Sequence, residues 1–313
     1  KLMADCDILV ENFKAGTLDR YGLGYEQLKA EFPRLIYCSI TGFGQTGPYA
    51  PRPGYDGLIQ AMGGVMSLTG VPDGEPMKVA VPICDLMAGM YASVGILAAV
   101  RHQAETGEGQ FIDIGMLDTH VGWLANQGMN YLATGENPER IGNQHPNILP
   151  YQVMPTSDGY IVLSVGNDPT FARFCKLAEC EELLEDERFQ TNAARVSNRD
   201  LVTETLNEIT KKKPSEWWLE NLEKEKIGSG PINTLEQVFA DPHVIAREMV
   251  IEMDHPATGS KPMKLIANPI KLSATPPTYR KPPPLLGQHT DEVLQEAGLS
   301  ADEIAKLKED GTV

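Results

Sequence analysis

The stretch Gln110-Phe111-Ile112-Asp113-Ile114-Gly115-Met116-Leu117-Asp118 decides the fold class. Its apolar, branched residues predict a buried strand that ends at the glycine, and the residues from Leu117 to Thr134 predict a helix directly after it. Upstream, residues 6–10 and 34–41 predict two further strands. A helix predicted between those strands completes an alternation of strands and helices. The sequence therefore predicts an α/β fold with a parallel sheet.

The pattern changes twice along the chain, which divides it into three predicted regions. Residues 1–149 carry the strand and helix alternation. Residues 150–272 begin with a hairpin at Asp158-Gly159, continue as mostly helical sequence and end in further strands, which predicts a smaller α+β domain. Residues 273–313 begin with a proline-rich spacer and end in a helical segment. Further helices are predicted at residues 25–32, 55–69, 83–106 and 291–309.

The composition excludes several classes of partner. A formal net charge of -16 argues against nucleic acid and anionic membranes, which bind basic patches. No apolar run is predicted to be long enough to span a bilayer. The five cysteines form no Cys-x-x-Cys pair and the six histidines fall at no metal-ligand spacing. We therefore expect a cytoplasmic protein without a metal, a membrane partner or a nucleic-acid partner.

The glycine-rich segment Gly42-Phe43-Gly44-Gln45-Thr46-Gly47 matches a dinucleotide-binding pattern and follows a predicted strand. An NAD-dependent oxidoreductase is therefore a distant alternative. Such a loop must open a helix whose N-terminus holds the pyrophosphate. Residues 48–53 contain three prolines instead and predict an extended or turning path. This context disfavours nicotinamide binding.

Several segments, in order along almost the whole chain, resemble one family of enzymes. They are Glu11–Gly16 with Leu18–Gly22, Ser39–Gly44 with Gly47–Tyr49, Pro53–Asp56 with Gln60–Ala61 and Gly63–Gly64, Gly107–Gln110 with Ile112–Ile114 and Met116–Asp118, and Pro282–Thr290. Together they are similar to family III CoA-transferases. That family includes formyl-CoA transferase and carnitine CoA-transferase, and it shares its fold with α-methylacyl-CoA racemase.

The resemblance implies a specific architecture. A Rossmann-like large domain would be interrupted by the smaller α+β domain, and residues 273–313 would return to the large domain. Two chains would form a homodimer interlocked like rings. The family's large domain starts with a strand and helix that this sequence lacks, and the chain opens at Lys1 without an initiator methionine. We therefore expect a longer polypeptide with about 70–100 further residues before Lys1, the size of a strand-helix-strand portion.

The resemblance also implies the chemistry. Asp118 would be the nucleophile, carrying the acyl group as an aspartyl-acyl anhydride and then coenzyme A as an aspartyl-CoA thioester. Its place near a strand-to-helix junction favours the ionised carboxylate that such an attack requires. Asp113 on the strand is the nearest competitor. Coenzyme A would be a co-substrate, held by four residues of one segment. These residues are Asn12, Phe13, Arg20 and Tyr21.

A substrate pocket is implied beside the nucleophile. Its predicted residues are Gly44, Tyr55, Asp56, Gly142, Asn143 and Gln144. Backbone N–H groups near Gly44 or Gly142 are candidates for holding the oxyanions. Residues 142–152 look most like family members that use succinyl-CoA or another dicarboxylic donor. A 2-methylacyl-CoA racemase is the nearer alternative, although racemases place a histidine where this chain has Tyr55, and a neutral tyrosine is a poor base.

Overall fold

The computed structural model describes residues 2–313, which divide into two compact units, residues 3–230 and residues 231–313 with Leu2. The strands are β1 (Ile8–Glu11), β2 (Ile36–Thr41), β3 (Phe111–Gly115), β4 (Tyr151–Pro155), β5 (Tyr160–Ser164), β6 (Gly228–Pro231), β7 (Val250–Met253) and β8 (Met263–Ile266). The predicted boundaries at residues 149/150 and 272/273 stay a prediction.

Helices connect and cover these strands. They are α1 (Tyr25–Glu31), α2 (Asp56–Met62), α3 (Val65–Leu68), α4 (Ile83–Thr106), α5 (Met116–Gly122), α6 (Ala125–Thr134), α7 (Asp168–Leu177), α8 (Glu187–Gln190), α9 (Asn192–Ser197), α10 (Arg199–Thr210), α11 (Ser215–Lys224), α12 (Leu235–Ala240), α13 (Pro242–Ala246), α14 (Thr290–Glu296) and α15 (Ala301–Glu309). Short 3-10 helices lie at Leu2–Asp5, Leu18–Tyr21, Glu181–Glu185 and Pro256–Thr258.

Strands β1, β2 and β3 form a parallel sheet in that order, which confirms the predicted α/β class. The central strand β2 is fully buried from Ile36 to Ser39, because it has a strand on each side and helices over it. Parallel strands need crossover connections, which α1 and α4 provide. In register, Thr41 lies opposite Gly115, so β2 and β3 end at the same level.

Helix α4 packs against β2, β3 and α5 through small side chains. Ala88, Ala92 and Ala99 are almost completely buried. At Gly95 a methyl group would come 3.2 Å from the Ile112 side chain on β3, so the helix lies close to the sheet. The predicted helix at residues 83–106 is confirmed, as is its ability to pack closely.

One prediction about α4 was wrong. By length and composition alone, its 24 residues are sufficient to cross a membrane, although no apolar run of that length was predicted. The charges within it fall near its two ends, which leaves a long uncharged centre. One face covers the sheet, while Met90, Val94 and Leu97 on the helix are exposed. The expectation of no membrane partner stays a prediction.

Residues 149–227 have a hydrophobic core of their own. Strands β4 and β5 form the predicted antiparallel hairpin, and β6, which the sequence did not predict, extends their sheet. Phe171, Phe174 and Trp218 stack within the core. The buried guanidinium of Arg195 bonds the Asp168 carboxylate at 2.8 Å. This ion pair satisfies a charge that would otherwise be costly to bury.

The unit of residues 231–313 is built around the antiparallel pair β7 and β8. Residues 275–284 form neither helix nor strand, as the prolines predicted. Two helices, α14 and α15, replace the single helix predicted at residues 291–309, because Gly298 ends the first in a left-handed conformation and Ser300 caps the second. The predicted helix from Leu117 to Thr134 is likewise divided, into α5 and α6.

We predict that Gly54 is essential for the turn after β2. A methyl group there would lie 2.2 Å from the Gly42 Cα, a backbone atom that cannot rotate away. Gly54→Ala should therefore destabilise the protein by about 2 kcal/mol or more. Gly57→Ala, in α2 with no atom within 4 Å of the added methyl, should instead stabilise by about 0.5–1 kcal/mol. Urea unfolding of both variants tests this; equal stabilities would contradict it.

Candidate active site

The candidate site forms where β2 and β3 end together. Strand β2 continues into a glycine-rich turn, and β3 continues directly into α5. The Leu117 backbone N–H donates to the Gly42 carbonyl at 3.0 Å, which joins the two connections. Ligands of open α/β sheets bind beyond the carboxyl ends of the strands. The register of the sheet therefore places both connections where a substrate would enter.

Asp118 lies in the first turn of α5 and its side chain is exposed. No hydrogen bond or ion pair joins its carboxylate to another residue of the described chain. A methyl group at Gly115 would lie 2.9 Å from Asp118 Oδ2 and 3.0 Å from the Gly44 backbone nitrogen. The carboxylate and the amide therefore border the same small space. The absence of a side chain at Gly115 keeps that space open.

Asp113, the nearest competitor, is engaged differently. Its Oδ2 and Oδ1 accept from the Gln45 backbone N–H at 2.9 and 3.2 Å. Gln45 in turn donates from its side chain to Ser39 Oγ at 2.8 Å. Asp113 therefore holds the turn after β2 against β3. Two aspartates five residues apart have separate environments, one bound to the backbone and one without a partner in residues 2–313.

A cavity of about 630 Å³ opens beside this junction. The segments after β1, at the end of β2 and before α2 border it, together with the first turns of α4 and the start of α5. Its wall is formed by Asn12, Phe13, Lys14, Ala15, Ile40, Thr41, Gly42, Arg52, Pro53, Gly54, Tyr55, Asp85, Ala88, Gly89 and Met116. The volume suits a small-molecule site.

The structure brings only some of the predicted site residues together. Asn12, Phe13 and Tyr55 share the cavity wall. Arg20 and Tyr21 lie outside that wall, on the 3-10 helix Leu18–Tyr21. There, Arg20 donates to Thr17 Oγ1 at 3.3 Å, and Tyr21 is 74% exposed. Their predicted contact with coenzyme A stays a prediction.

The Gly142 loop also lies outside the wall of this cavity, as far as the described residues show. The Gly142 N–H donates to the Gly70 carbonyl at 3.0 Å, and Gln144 Oε1 accepts from Arg199 at 2.9 Å. Asn143 is exposed. Arg140 donates to three carbonyl oxygens of residues 71–74. These contacts fix the loop to its neighbours, so its predicted substrate role stays a prediction.

A buried polar network lies under α5, and the sequence did not predict it. Asp56 Oδ2 accepts from the Cys84 N–H at 2.8 Å and Oδ1 accepts from Gln60 Nε2 at 2.6 Å. Cys84 Sγ lies 3.3 Å from His120 Nδ1, and both side chains are fully buried. A methyl group at Gly63 would come 2.1 Å from the His120 ring. The network therefore ties α2, α4 and α5 together beneath Asp118.

Burial controls the protonation of this network. It raises the pKa of the Cys84 thiol to about 12, with a further contribution from the Asp56 carboxylate. Burial also lowers the pKa of His120, partly offset by Asp56. Both groups are therefore neutral at pH 7. The His120 Nε2 atom has no hydrogen-bond partner in the described part of the chain, an arrangement that a charged ring could not tolerate.

Comparison with known proteins assigns the chain to a family. Residues 1–290 match the family described as CoA-transferase family III. The chain belongs to this family. The predictions of that family and of a transferase enzyme are therefore confirmed. Transferases of this kind use CoA thioesters as co-substrates.

Two relatives and one solved structure show how far the similarity reaches. The chain is 45% identical to succinate–glutarate CoA-transferase of Agrobacterium fabrum over 296 residues, which cover 95% of this chain and 74% of that protein. It is 40% identical to human succinyl-CoA:glutarate CoA-transferase over 296 residues, which cover 95% of this chain and 67% of that protein. The solved structure of a CaiB/BaiF family protein from Brucella suis aligns with a TM-score of 0.81 and 47% identity. The alignment covers 94% of this chain and 76% of that one.

We predict that His120 makes the transferase sensitive to mild acid. Below the ordinary pKa of 6.5, the unfolded chain binds a proton that the buried ring does not, so stability falls as the pH falls. The loss is at most about 1.4 kcal/mol per pH unit from this one group. The His120→Gln variant should be less stable than the wild type at pH 7.5. Its free energy of unfolding should change less between pH 6.5 and 5.5. Urea unfolding across this range measures the slopes, and parallel slopes would exclude this role.

Proposed function

We propose that this chain transfers coenzyme A between dicarboxylic acids through covalent intermediates on Asp118. The observation that carries the proposal is the small space at Gly115, bordered by the Asp118 carboxylate on one side and the Gly44 amide on the other. An unpartnered carboxylate is available for attack, and an amide beside it is a donor for a developing oxyanion. Asp113, bonded to the Gln45 backbone, lacks that freedom.

The first half of the reaction loads the enzyme. An Asp118 oxygen attacks the donor thioester carbonyl, so a C–O bond forms, the C–S bond breaks and CoA leaves as a thiolate. The product on the enzyme is a mixed anhydride. The thiolate then attacks the Asp118 carbonyl carbon of this anhydride and expels the donor acid as a carboxylate. An aspartyl-CoA thioester remains.

The second half reverses these steps with the acceptor. The acceptor carboxylate attacks the aspartyl carbonyl carbon, which forms a new anhydride and releases the CoA thiolate. The thiolate attacks the acceptor's carbonyl carbon, giving the new acyl-CoA and the free Asp118 carboxylate. No net proton or electron is exchanged. Each step passes through an oxyanion, and the Gly44 N–H would be a donor to it.

The remaining predicted residues take supporting roles in this proposal. Asn12 and Phe13 in the cavity wall would contact coenzyme A. Arg20 and Tyr21 would do so from the neighbouring 3-10 helix, where an arginine suits phosphate and an aromatic ring suits adenine. Gly142, Asn143 and Gln144 would contribute to the acceptor side. Asp56 would act indirectly, because its carboxylate holds the start of α4.

The relatives' substrates support a dicarboxylic donor. Both relatives named above are transferases of succinate or succinyl-CoA with glutarate. This chain, at 45% and 40% identity, aligns with them over 95% of its length. We therefore propose succinyl-CoA or a similar dicarboxylic acyl-CoA as donor. From the amino-acid sequence we further propose that the reaction needs no metal and takes place in the cytoplasm.

We predict that Asp118 becomes acylated during turnover. Asp118→Ala and Asp118→Asn should each lower transfer by at least about a thousandfold, because both remove the nucleophile. Coenzyme A binding should survive in both. With wild-type protein and succinyl-CoA, hydroxylamine should convert the activated carboxylate to a hydroxamate on the peptide that contains Asp118. The measurement is mass spectrometry of the digested protein.

Asp113→Asn is the matched control for that experiment. It removes one carboxylate from the same strand-helix connection and weakens a turn, so a modest loss of stability is expected, but the hydroxamate should still form on Asp118. A label on Asp113 or Asp56 would contradict the assignment of the nucleophile. Transfer that persists in Asp118→Asn would contradict the covalent route itself.

We further propose that the Rossmann-like domain, interrupted by the smaller domain, forms an interlocked homodimer. Interlocked chains cannot separate without unfolding. The transferase should therefore keep its dimeric mass by light scattering on dilution and in mass photometry at nanomolar concentration. A reversible monomer would exclude interlocking while leaving the chemistry intact.

A further inference from the structure

Arg52 lies in the wall of the cavity and is held there by its backbone and its side chain. It lies between Pro51 and Pro53, and its N–H donates to the Tyr49 carbonyl at 2.8 Å. Its guanidinium carbon lies 3.9 Å from the centre of the Tyr49 ring. That ring meets Phe43, which is buried, edge-on at 5.6 Å. Two prolines and an aromatic stack thus restrict the backbone and side chain before any ligand arrives.

The guanidinium has no anionic partner within residues 2–313. No carboxylate lies within 4.0 Å of it, and none of its side-chain N–H groups donates to a protein acceptor. Arg188 and Arg195, by contrast, each pair with an aspartate. Arg52 differs from the other arginines without a carboxylate partner because it lies in the cavity wall. Stacking leaves the edge of its planar fork free for a carboxylate.

The cavity wall also contains a second hydrogen-bond donor and more basic than acidic side chains. Thr41, at the end of β2, has a buried hydroxyl without a hydrogen-bond partner among the described residues. The wall contains two basic side chains, Lys14 and Arg52, and one carboxylate, Asp85, whose pKa is raised by burial and by the nearby Asp56. A buried hydroxyl without a partner needs a physical explanation, and a ligand that accepts its proton would supply one. The wall therefore suits a ligand with anionic oxygen atoms.

We propose that Arg52 binds the distal carboxylate of a dicarboxylic acyl group, with the Thr41 hydroxyl as a second donor, and thereby sets the substrate preference. The inference rests on the proposed function, because Asp118 must act at the other end of the same acyl chain. A bidentate guanidinium–carboxylate pair gives both attraction and a fixed orientation. A phosphate of coenzyme A offers the same chemistry to Arg52, so the test must separate the two sources.

Isotope exchange between an acyl-CoA and its own labelled acid provides that test. Succinyl-CoA with succinate is compared with butyryl-CoA with butyrate, which has the same chain length and no distal carboxylate. Arg52→Gln should lower kcat/KM for succinyl exchange by about 10- to 100-fold, the range for a lost charge-assisted pair, and change butyryl exchange by less than about threefold. For Arg52→Lys, kcat/KM for succinyl exchange should lie between the wild-type and Arg52→Gln values, because lysine keeps the charge but cannot form the bidentate pair.

Arg101→Gln is the matched control. It removes the same charge from the far end of α4, where Arg101 is exposed and pairs with Glu105. Both exchange reactions should be unchanged in this variant. Affinity for free coenzyme A, measured by calorimetry, should be the same in wild type, Arg52→Gln and Arg101→Gln.

The outcomes separate the inference from the proposed function. Equal loss of both exchange reactions in Arg52→Gln, with weaker coenzyme A binding, would assign Arg52 to a phosphate and overturn the inference. An unchanged ratio of succinyl to butyryl exchange would overturn it while leaving the transferase chemistry standing. Absence of exchange with every acyl-CoA in the wild type would overturn the proposed function and this inference with it.

Discussion

The parallel pairing of β2 with β3 is the constraint on which the candidate site depends. Because Thr41 lies opposite Gly115, the turn after one strand and the helix after the other begin at the same level. The bond from the Leu117 N–H to the Gly42 carbonyl then fixes their separation. A slip of one residue would turn Asp118 away from the Gly44 amide. The backbone ladder, more than any side chain, therefore positions the reacting groups.

Two polar arrangements support that ladder from opposite sides. Above the sheet end, the Asp113 carboxylate binds the Gln45 N–H and holds the glycine-rich turn. Below α5, the network of Asp56, Cys84 and His120 connects three helices in the buried interior. The Asp56 carboxylate on α2 accepts from the Cys84 N–H at the start of α4, so it holds these two helices together. The exposed Asp118 is thus carried by a buried and well-supported frame.

Much of this arrangement could be predicted from the sequence, because it is local. The strand up to Gly115 and the helix after it follow from apolar patterning, and the bounds of α4 were predicted at both ends. The family resemblance supplied Asp118 as a candidate. The contact of Cys84 with His120 spans 36 residues and involves no sequence pattern, so it could not be predicted. The same applies to β6, whose Gly-Ser-Gly-Pro sequence lacks every usual sign of a strand.

The open space at Gly115 has a consequence for how activity can be lost. A single methyl group at that position would lie 2.9 Å from Asp118 Oδ2 and 3.0 Å from the Gly44 nitrogen, so it would fill the space between them and displace the carboxylate. The space beside the nucleophile would then be filled by a single carbon atom. Activity by the proposed route therefore depends on a glycine that takes no part in the chemistry itself.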